Sequence, residues 1–110
     1  MISKKLKVER NQIDYILEKG ESTRSRLFIV RYKKTDQQIS RFCVIISKKI
    51  DKSAVKRNLL RRQIQEIIRT EDLSTKINSL DVILIPKKSI TEKDFGKIKD
   101  DLNDLSKILK

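Results

Sequence analysis

The spacing of hydrophobic residues predicts three helices. The first covers about Glu9–Lys19 and ends at Gly20, because a left-handed residue is tolerated there. The second is the segment AVKRNLLRRQIQEIIR, Ala54–Arg69, for which Ser53 can serve as the N-cap. The third lies in TEKDFGKIKDDLNDLSKILK, with an N-cap region formed by Thr91 and the acid three residues later. The residues expected to face the core from these helices are Ile13, Ile16, Leu17, Leu60, Ile64, Ile67, Ile68, Phe95, Ile98, Leu102, Leu105 and Leu109.

Three runs rich in β-branched and aromatic residues predict strands. The runs SRLFIVRYKK and ISRFCVIISKK are separated by the polar stretch TDQQ, which predicts a hairpin turn. Alternation puts Leu27, Ile29 and Arg31 on one face of the first strand and Phe28, Val30 and Tyr32 on the other. The third strand, Asp81–Ile85, is nearly all apolar and is therefore expected to be central. The order α-β-β-α-β-α predicts an α+β fold with one sheet covered by helices.

Composition limits the protein to one domain and narrows its chemistry. The chain has 110 residues, of which 37% are hydrophobic and 38% charged, so we expect a single compact domain, 1–110. It has no histidine and one cysteine, which excludes the usual zinc sites and any Ser–His or Cys–His nucleophile. Cys43 is expected to be buried in the core. No apolar run reaches membrane-spanning length and no signal-peptide pattern is present, so a cytoplasmic, membrane-free protein is expected.

The positive charge is concentrated in one segment. The formal net charge is +12, and residues 41–62 hold eight Lys or Arg and one acid, Asp51. Residues 91–110 hold five lysines and five acids, so a generally lysine-rich composition does not account for the pattern. In the second helix, Asn58, Arg62, Gln65 and Arg69 lie opposite the apolar side, and the cations gather at the end that the helix dipole already makes positive. This arrangement predicts a polyanionic partner.

The same residues carry a resemblance to a known family. A strand ending in ISKKI, a short basic loop, AVKRNLLRR opening a helix, and then DVILIPKK before a final helix resemble the bacterial ribonuclease P protein subunit. The family has a Ser-Lys-Lys-like strand end, matched by residues 47–49, and an Arg-Asn-Arg core, matched by Arg57 and Asn58. Arg61 and Arg62 match its trailing basic pair. Leu59 stands where the family has its second core Arg, so one expected RNA contact is missing.

The resemblance implies a sandwich with one mixed sheet and an unusual left-handed β-α-β crossover. It implies an accessory subunit of an endoribonuclease, in which a large catalytic RNA removes the 5′ leader of precursor tRNA with Mg²⁺. The metal would act through the RNA, with no catalytic or metal-binding residue in this chain. The partners would be ribonuclease P RNA and precursor tRNA, with no obligate protein partner. Residues 1–8 would form a basic, flexible arm.

Two sets of residues are predicted to contact RNA on this basis. A groove between the first helix and the sheet holds the leader in the family, and the matching positions here are Ile13, Leu17, Ile29 and Arg31. They offer apolar contact and one guanidinium, whereas the family often has aromatic rings. The residues predicted to bind RNA around the second helix are Lys48, Lys49, Lys52, Lys56, Arg57, Asn58, Arg61, Arg62, Gln65 and Arg69.

Other functions are compatible with parts of the sequence. A ribosomal or other structural RNA-binding protein would have a similar size and charge. A DNA-binding module could carry Asn58, Arg61 and Arg62 toward base edges, although no helix-turn-helix pairing precedes them. The acids of the last helix, Asp100, Asp101 and Asp104, have the spacing of a solvated face rather than of a metal site.

Overall fold

The computed structural model describes Val8, residues 10–92 and residues 94–109. The predicted basic arm therefore falls outside the described residues, apart from Val8, which is buried. A 3₁₀ helix, Lys88–Glu92, precedes the last helix. The helices and strands are α1 Arg10–Lys19, β1 Glu21–Arg24, β2 Phe28–Ile39, β3 Arg41–Val44, α2 Ala54–Thr70, α3 Leu73–Lys76, β4 Asn78–Pro86 and α4 Phe95–Ile108.

The strands form one mixed sheet in the order β1-β2-β4-β3. β2 pairs antiparallel with both β1 and β4, while β3 pairs parallel with β4. The nearly continuous apolar run of β4 is thus interior, as predicted. The α+β sandwich is confirmed, with an added edge strand, β1, and the short helix α3. The segment β3-α2-α3-β4 connects two parallel neighbours, and the left-handed sense of this crossover stays a prediction.

The predicted hairpin across TDQQ is wrong. Residues 35–38 continue β2 to Ile39, and β3 lies on the far side of β4. Ser40 explains the change of direction, because its backbone N–H donates to Ser74 O (2.9 Å) and its hydroxyl donates to Ile77 O. The same hydroxyl accepts from Leu80 N (3.0 Å), so this buried serine joins the end of β2 to the start of β4. A turn-like polar sequence is extended here because its partners are distant in the chain.

Most of the core lies between the sheet and helices α2, α3 and α4. Phe28 and Val30 of β2 point to this side, as alternation predicts, and so do Val82 and Leu84 of β4. Leu27, predicted on the other face, also lies in this core, because it precedes β2 and does not follow the alternation of the strand. Leu60 packs against this core but is only half-buried. The helix residues that fill it are Ile64, Ile67, Ile68, Leu73, Ile98, Leu102, Leu105 and Leu109.

Helix α1 covers the opposite face of the sheet with a smaller core. Ile16 is fully buried with Val8 and Ile83, and Ile13 and Cys43 are half-buried beside them. Full burial of Cys43 was therefore wrong, because β3 is an edge strand that α1 only partly covers. Val8 N–H donates to Phe42 O (3.2 Å), which ties the chain before α1 to β3.

Gly20 ends α1 for a reason that differs from the prediction. The described part of the chain has no glycine with a positive φ, so no left-handed residue is needed at Gly20. A Cβ at this position would lie 2.5 Å from Ile16 O and 2.9 Å from Tyr32 O, and real Cβ atoms do not approach so closely. Glycine therefore allows the end of α1 to lie against β2.

Three predictions about helix α4 are wrong. Its N-cap is Asp94, whose side chain accepts from Lys97 N (2.9 Å), and Thr91 belongs to the preceding 3₁₀ helix. Asp101 is buried rather than solvated, because it accepts hydrogen bonds from Ser25 Oγ (2.6 Å) and Leu27 N (3.2 Å). Phe95 is 42% exposed although it has the spacing of the apolar stripe.

Candidate nucleic-acid interface

Helix α2 presents its polar side to solvent because its apolar side is fixed in the main core. Ile64, Ile67 and Ile68 are buried, and the opposite residues Asn58 and Arg62 are exposed, as predicted. The helix begins at Ser53, whose hydroxyl accepts from Lys56 N (3.3 Å), while Asp51 accepts from Ser53 N (2.9 Å). The ten predicted RNA-binding residues, 48, 49, 52, 56–58, 61, 62, 65 and 69, thus lie on α2 and the loop before it. We call them the α2 cationic surface.

Two arginines in the N-terminal half of α2 are held by the protein itself. Arg57 is half-buried, and its Nη1 donates to Asp51 O (2.8 Å) and Lys52 O (3.0 Å). Arg61 Nη1 donates to Asn58 Oδ1 (2.8 Å). These bonds fix the loop that carries the lysines and orient one guanidinium along the helix. Arg57 therefore supports the surface as well as adding charge to it.

The charge of the first turns is not neutralised within the described part of the chain. Lys49, Lys56 and Arg62 are exposed and form no ion pair with any described residue. Farther along, Arg69 forms a two-pronged ion pair with Glu66, with Nε to Oε2 at 3.3 Å. The hydrogen bond from Arg69 lowers the pKa of Glu66, and the same bond raises the pKa of Arg69. An anion is therefore attracted mainly to the N-terminal half of the surface.

A shallow concavity of about 630 Å³ lies on the same side of the protein. It contains members of the α2 cationic surface together with Phe95 of α4. The prediction missed Phe95, because its spacing suited a core residue. Two further polar residues of α2, Gln63 and Glu66, complete the lining.

The groove between α1 and the sheet is apolar, and we call it the α1 groove. On the helix, Leu17 lies one turn after Ile13 and is 37% exposed. On the sheet, Ile29 is 41% exposed and pairs with Ile85, and the half-buried Ile45 continues β3 beside them. Of the predicted leader-binding residues, Ile13 and Ile29 thus lie on the side of the sheet that α1 covers, and Leu17 is exposed on α1.

The fourth predicted groove residue, Arg31, is engaged at the end of α1. Its Nη2 donates to Gly20 O (3.0 Å), and its Nε is buried without a hydrogen-bond partner among the described residues. The neighbouring Lys33 donates to Gln12 Oε1 (3.1 Å) and lies 4.9 Å from the ring centre of Tyr15. Both cations therefore hold α1 on the sheet.

A cavity of about 350 Å³ is lined by one residue from each of the two predicted surfaces. It is bordered by Ile13 of the α1 groove, by Gln65 of the α2 cationic surface, and by Cys43 of β3 between them. Arg10 of α1 adds a cation to this cavity, and Val8 closes one side. Neither was predicted, because the sequence before α1 gave no sign of packing on β3.

The described residues do not form the ligand group that a metal ion requires. Within that part of the chain, no three His, Cys, Asp or Glu side chains form a group that could hold one. The buried acids are satisfied by protein groups, since Asp81 accepts two hydrogen bonds from Arg41, both at 2.8 Å, and Asp101 is bound by Ser25. Across the described residues no helix is long and apolar enough to cross a membrane.

Comparisons with known proteins place this architecture in one family. The Ribonuclease P family model matches residues 3–110. The ribonuclease P protein component of Carboxydothermus hydrogenoformans is 33% identical over 97 residues, which cover 86% of this chain and 82% of that protein. The one from Mesoplasma florum is 28% identical over 105 residues, covering 96% and 94%.

Solved structures agree with these relatives. The ribonuclease P protein from Thermotoga maritima superposes with a TM-score of 0.83 at 25% identity, covering 94% of this chain and 97% of that one. The protein from Staphylococcus aureus gives a TM-score of 0.79 at 26% identity, covering 94% and 93%.

Proposed function

The chain belongs to the ribonuclease P protein family and is a subunit of that endoribonuclease, and we propose that it binds two RNA elements at once. The α2 cationic surface binds the RNA subunit of the enzyme. The α1 groove receives the 5′ leader of precursor tRNA. Together they support the Mg²⁺-dependent maturation of the 5′ end of tRNA in the cytoplasm.

Uncompensated charge on α2 supports binding of the RNA subunit. Phosphate contacts with Lys and Arg release counterions, and this release is a large part of protein–RNA affinity. The exposed lysines and Arg62 supply such contacts, while Arg57 holds their loop in place. A structured RNA fits this surface because the uncompensated charges cover both the loop before α2 and the N-terminal half of the helix.

The shape and chemistry of the α1 groove support binding of a single strand. Half-exposed aliphatic side chains, Leu17 and Ile29, can contact the faces of unpaired bases, although they provide no aromatic stacking. A cavity beside β3, with Ile13 at one side and Gln65 at the other, brings a residue of each predicted surface close together. A leader in the groove would therefore lie beside the RNA subunit that cleaves it.

We place the magnesium ions and the chemical step in the RNA subunit. The described carboxylates do not fit a protein-held Mg²⁺, because they are dispersed or bound by protein donors. Bound Mg²⁺ would supply the activation of water at the scissile phosphate. The contribution of this chain is to hold the RNA subunit and the leader in fixed relative positions, which lowers the entropic part of the barrier.

Reconstitution with ribonuclease P RNA from the same genome tests this proposal. The purified chain alone should not cleave precursor tRNA, and adding it to the RNA should lower the Mg²⁺ concentration needed for cleavage. Arg62→Ala should lose most of this effect, whereas Lys107→Ala, an exposed lysine of α4, should keep it. Cleavage by a preparation free of RNA, or an unchanged Mg²⁺ requirement, would contradict the proposal.

A further inference from the structure

One phenylalanine stands apart from the other two. Phe28 and Phe42 are 0% and 2% exposed in the main core, while Phe95 is 42% exposed. Phe95 is the first residue of α4, directly after the N-cap Asp94, and so its position is fixed by the start of the helix. An aromatic ring that is held in place and half open to solvent is available to a partner.

The ring lies in the concavity beside α2, among groups that suit a nucleotide. Arg62 is exposed and makes no hydrogen bond or ion pair with any described residue. Asn58 and Gln63 add amide groups to the lining. The carboxylate of Glu66 is there too, but its charge is compensated by Arg69, as the lowered pKa of Glu66 indicates.

We propose that this concavity binds one unpaired nucleotide of the RNA, with its base on the ring of Phe95 and its phosphate at Arg62. The inference rests on the proposed function and extends the RNA surface from α2 to α4. An RNA is favoured over a protein partner because the surroundings of the ring are cationic and carry amide donors and acceptors. An unpaired nucleotide is favoured because only an unstacked base offers a face to a side chain.

The location on α4 is unexpected from charge, because residues 91–110 are balanced between lysines and acids. A cation on α4 itself is not required for binding the phosphate, since Arg62 of α2 lies in the same concavity as Phe95. The site is thus built by two helices that are distant in the chain and meet on the main core.

Substitution of the ring in the full chain gives the first test, with ribonuclease P RNA from the same genome as the probe. Phe95→Leu should weaken binding roughly 5- to 150-fold, the range found for loss of one stacked base, with an unchanged salt slope. Phe95→Tyr should bind like the wild type because it keeps the ring. Arg62→Ala should reduce the salt slope by roughly 0.7–0.9. Ile108→Ala is the matched control, an apolar residue of α4 that is 60% exposed.

Ultraviolet crosslinking of the wild-type complex gives a second test that does not depend on a variant folding. Trypsin cuts after Lys93 and Lys97, so a crosslink at the ring would appear on the four-residue peptide DFGK. If wild-type protein does not bind the RNA, the proposed function fails. If it binds and Arg62→Ala weakens it, but Phe95→Leu is silent and DFGK carries no crosslink, only this inference is overturned. Equal losses for Phe95→Leu and Phe95→Tyr would also overturn it.

Discussion

The α2 cationic surface and the α1 groove lie on opposite faces of one sheet. The first exposes positively charged side chains, and the second exposes aliphatic ones. On α2, Arg62 and the neighbouring lysines are exposed and form no ion pair with any described residue, while the apolar side of the helix packs in the main core. In the α1 groove, the exposed residues are the aliphatic Leu17 and Ile29. Two cations of that face, Arg31 and Arg41, are bound to protein groups instead.

The difference shows that net charge alone does not locate a binding surface. A cation contributes to phosphate binding when its charge is uncompensated, and it contributes to structure when a protein acceptor holds it. Binding at α2 should therefore fall with salt, and binding in the α1 groove should depend on apolar contact and vary little with salt. Four substitutions probe this contrast.

The largest effect is expected from Asp81→Ala, which removes the partner of Arg41 beneath α1. Asp81 is 2% exposed and accepts both hydrogen bonds of the pair. Leaving the Arg41 charge without this partner should lower the free energy of unfolding by about 3–5 kcal/mol, measured by urea denaturation. Asp36→Ala, an exposed acid of β2, is the control. Equal losses for the two variants would mean that the ion pair does not support this face.

Ile64→Ala tests the packing of α2 on the main core, beneath the α2 cationic surface. Ile64 is 0% exposed under α2. Its truncation should reduce the free energy of unfolding by roughly 2–5 kcal/mol, through lost burial and the cavity left behind. Leu59→Ala, which truncates an aliphatic side chain of α2 that is 56% exposed, should change it by less than about 0.5 kcal/mol. A similar loss at both positions in thermal or urea unfolding would overturn this orientation of the helix.

Arg62→Ala should weaken binding to ribonuclease P RNA by roughly 1.5–3 kcal/mol, or about tenfold or more, because it removes a charge-assisted contact. Filter binding at several salt concentrations measures both the affinity and its slope. Lys107→Ala should alter neither quantity, since Lys107 lies on the charge-balanced α4. Equal effects from the two substitutions would show that binding depends on diffuse charge and not on the α2 cationic surface.

The smallest effect is expected from Arg31→Ala. Arg31 donates to Gly20 O at the end of α1, so its loss should act on the leader only through the position of α1. Because α1 forms one wall of the groove, affinity for precursor tRNA should fall a few-fold while affinity for mature tRNA is unchanged. Both affinities can be measured by competition between the two RNAs for binding to the reconstituted enzyme. Equal losses, or none, would place the leader outside the α1 groove.

The sequence by itself determined the features that depend on neighbouring residues. The apolar period of α2 correctly gave its buried side, with Ile64 inside and Arg62 outside, because a regular helix fixes the angle between successive side chains. Alternation gave the two faces of β2, and Ser53 was found as a cap. The motif around Arg57 and Asn58 identified the family, which the match over residues 3–110 confirms.

The tertiary structure alone decided what depends on distant partners. Ser40 forms hydrogen bonds with Ser74, Ile77 and Leu80. The chain therefore turns at Ser40, and β3 pairs with the far edge of β4 instead of forming the expected hairpin with β2. Asp101 is buried because Ser25 and Leu27, which are distant in the sequence, donate hydrogen bonds to its carboxylate. Phe95 is exposed because α4 begins where the main core ends, and Arg31 is engaged because Gly20 lies close. In each case the hydrogen-bond partner or the burial depends on residues distant in the chain, which short-range periodicity does not encode.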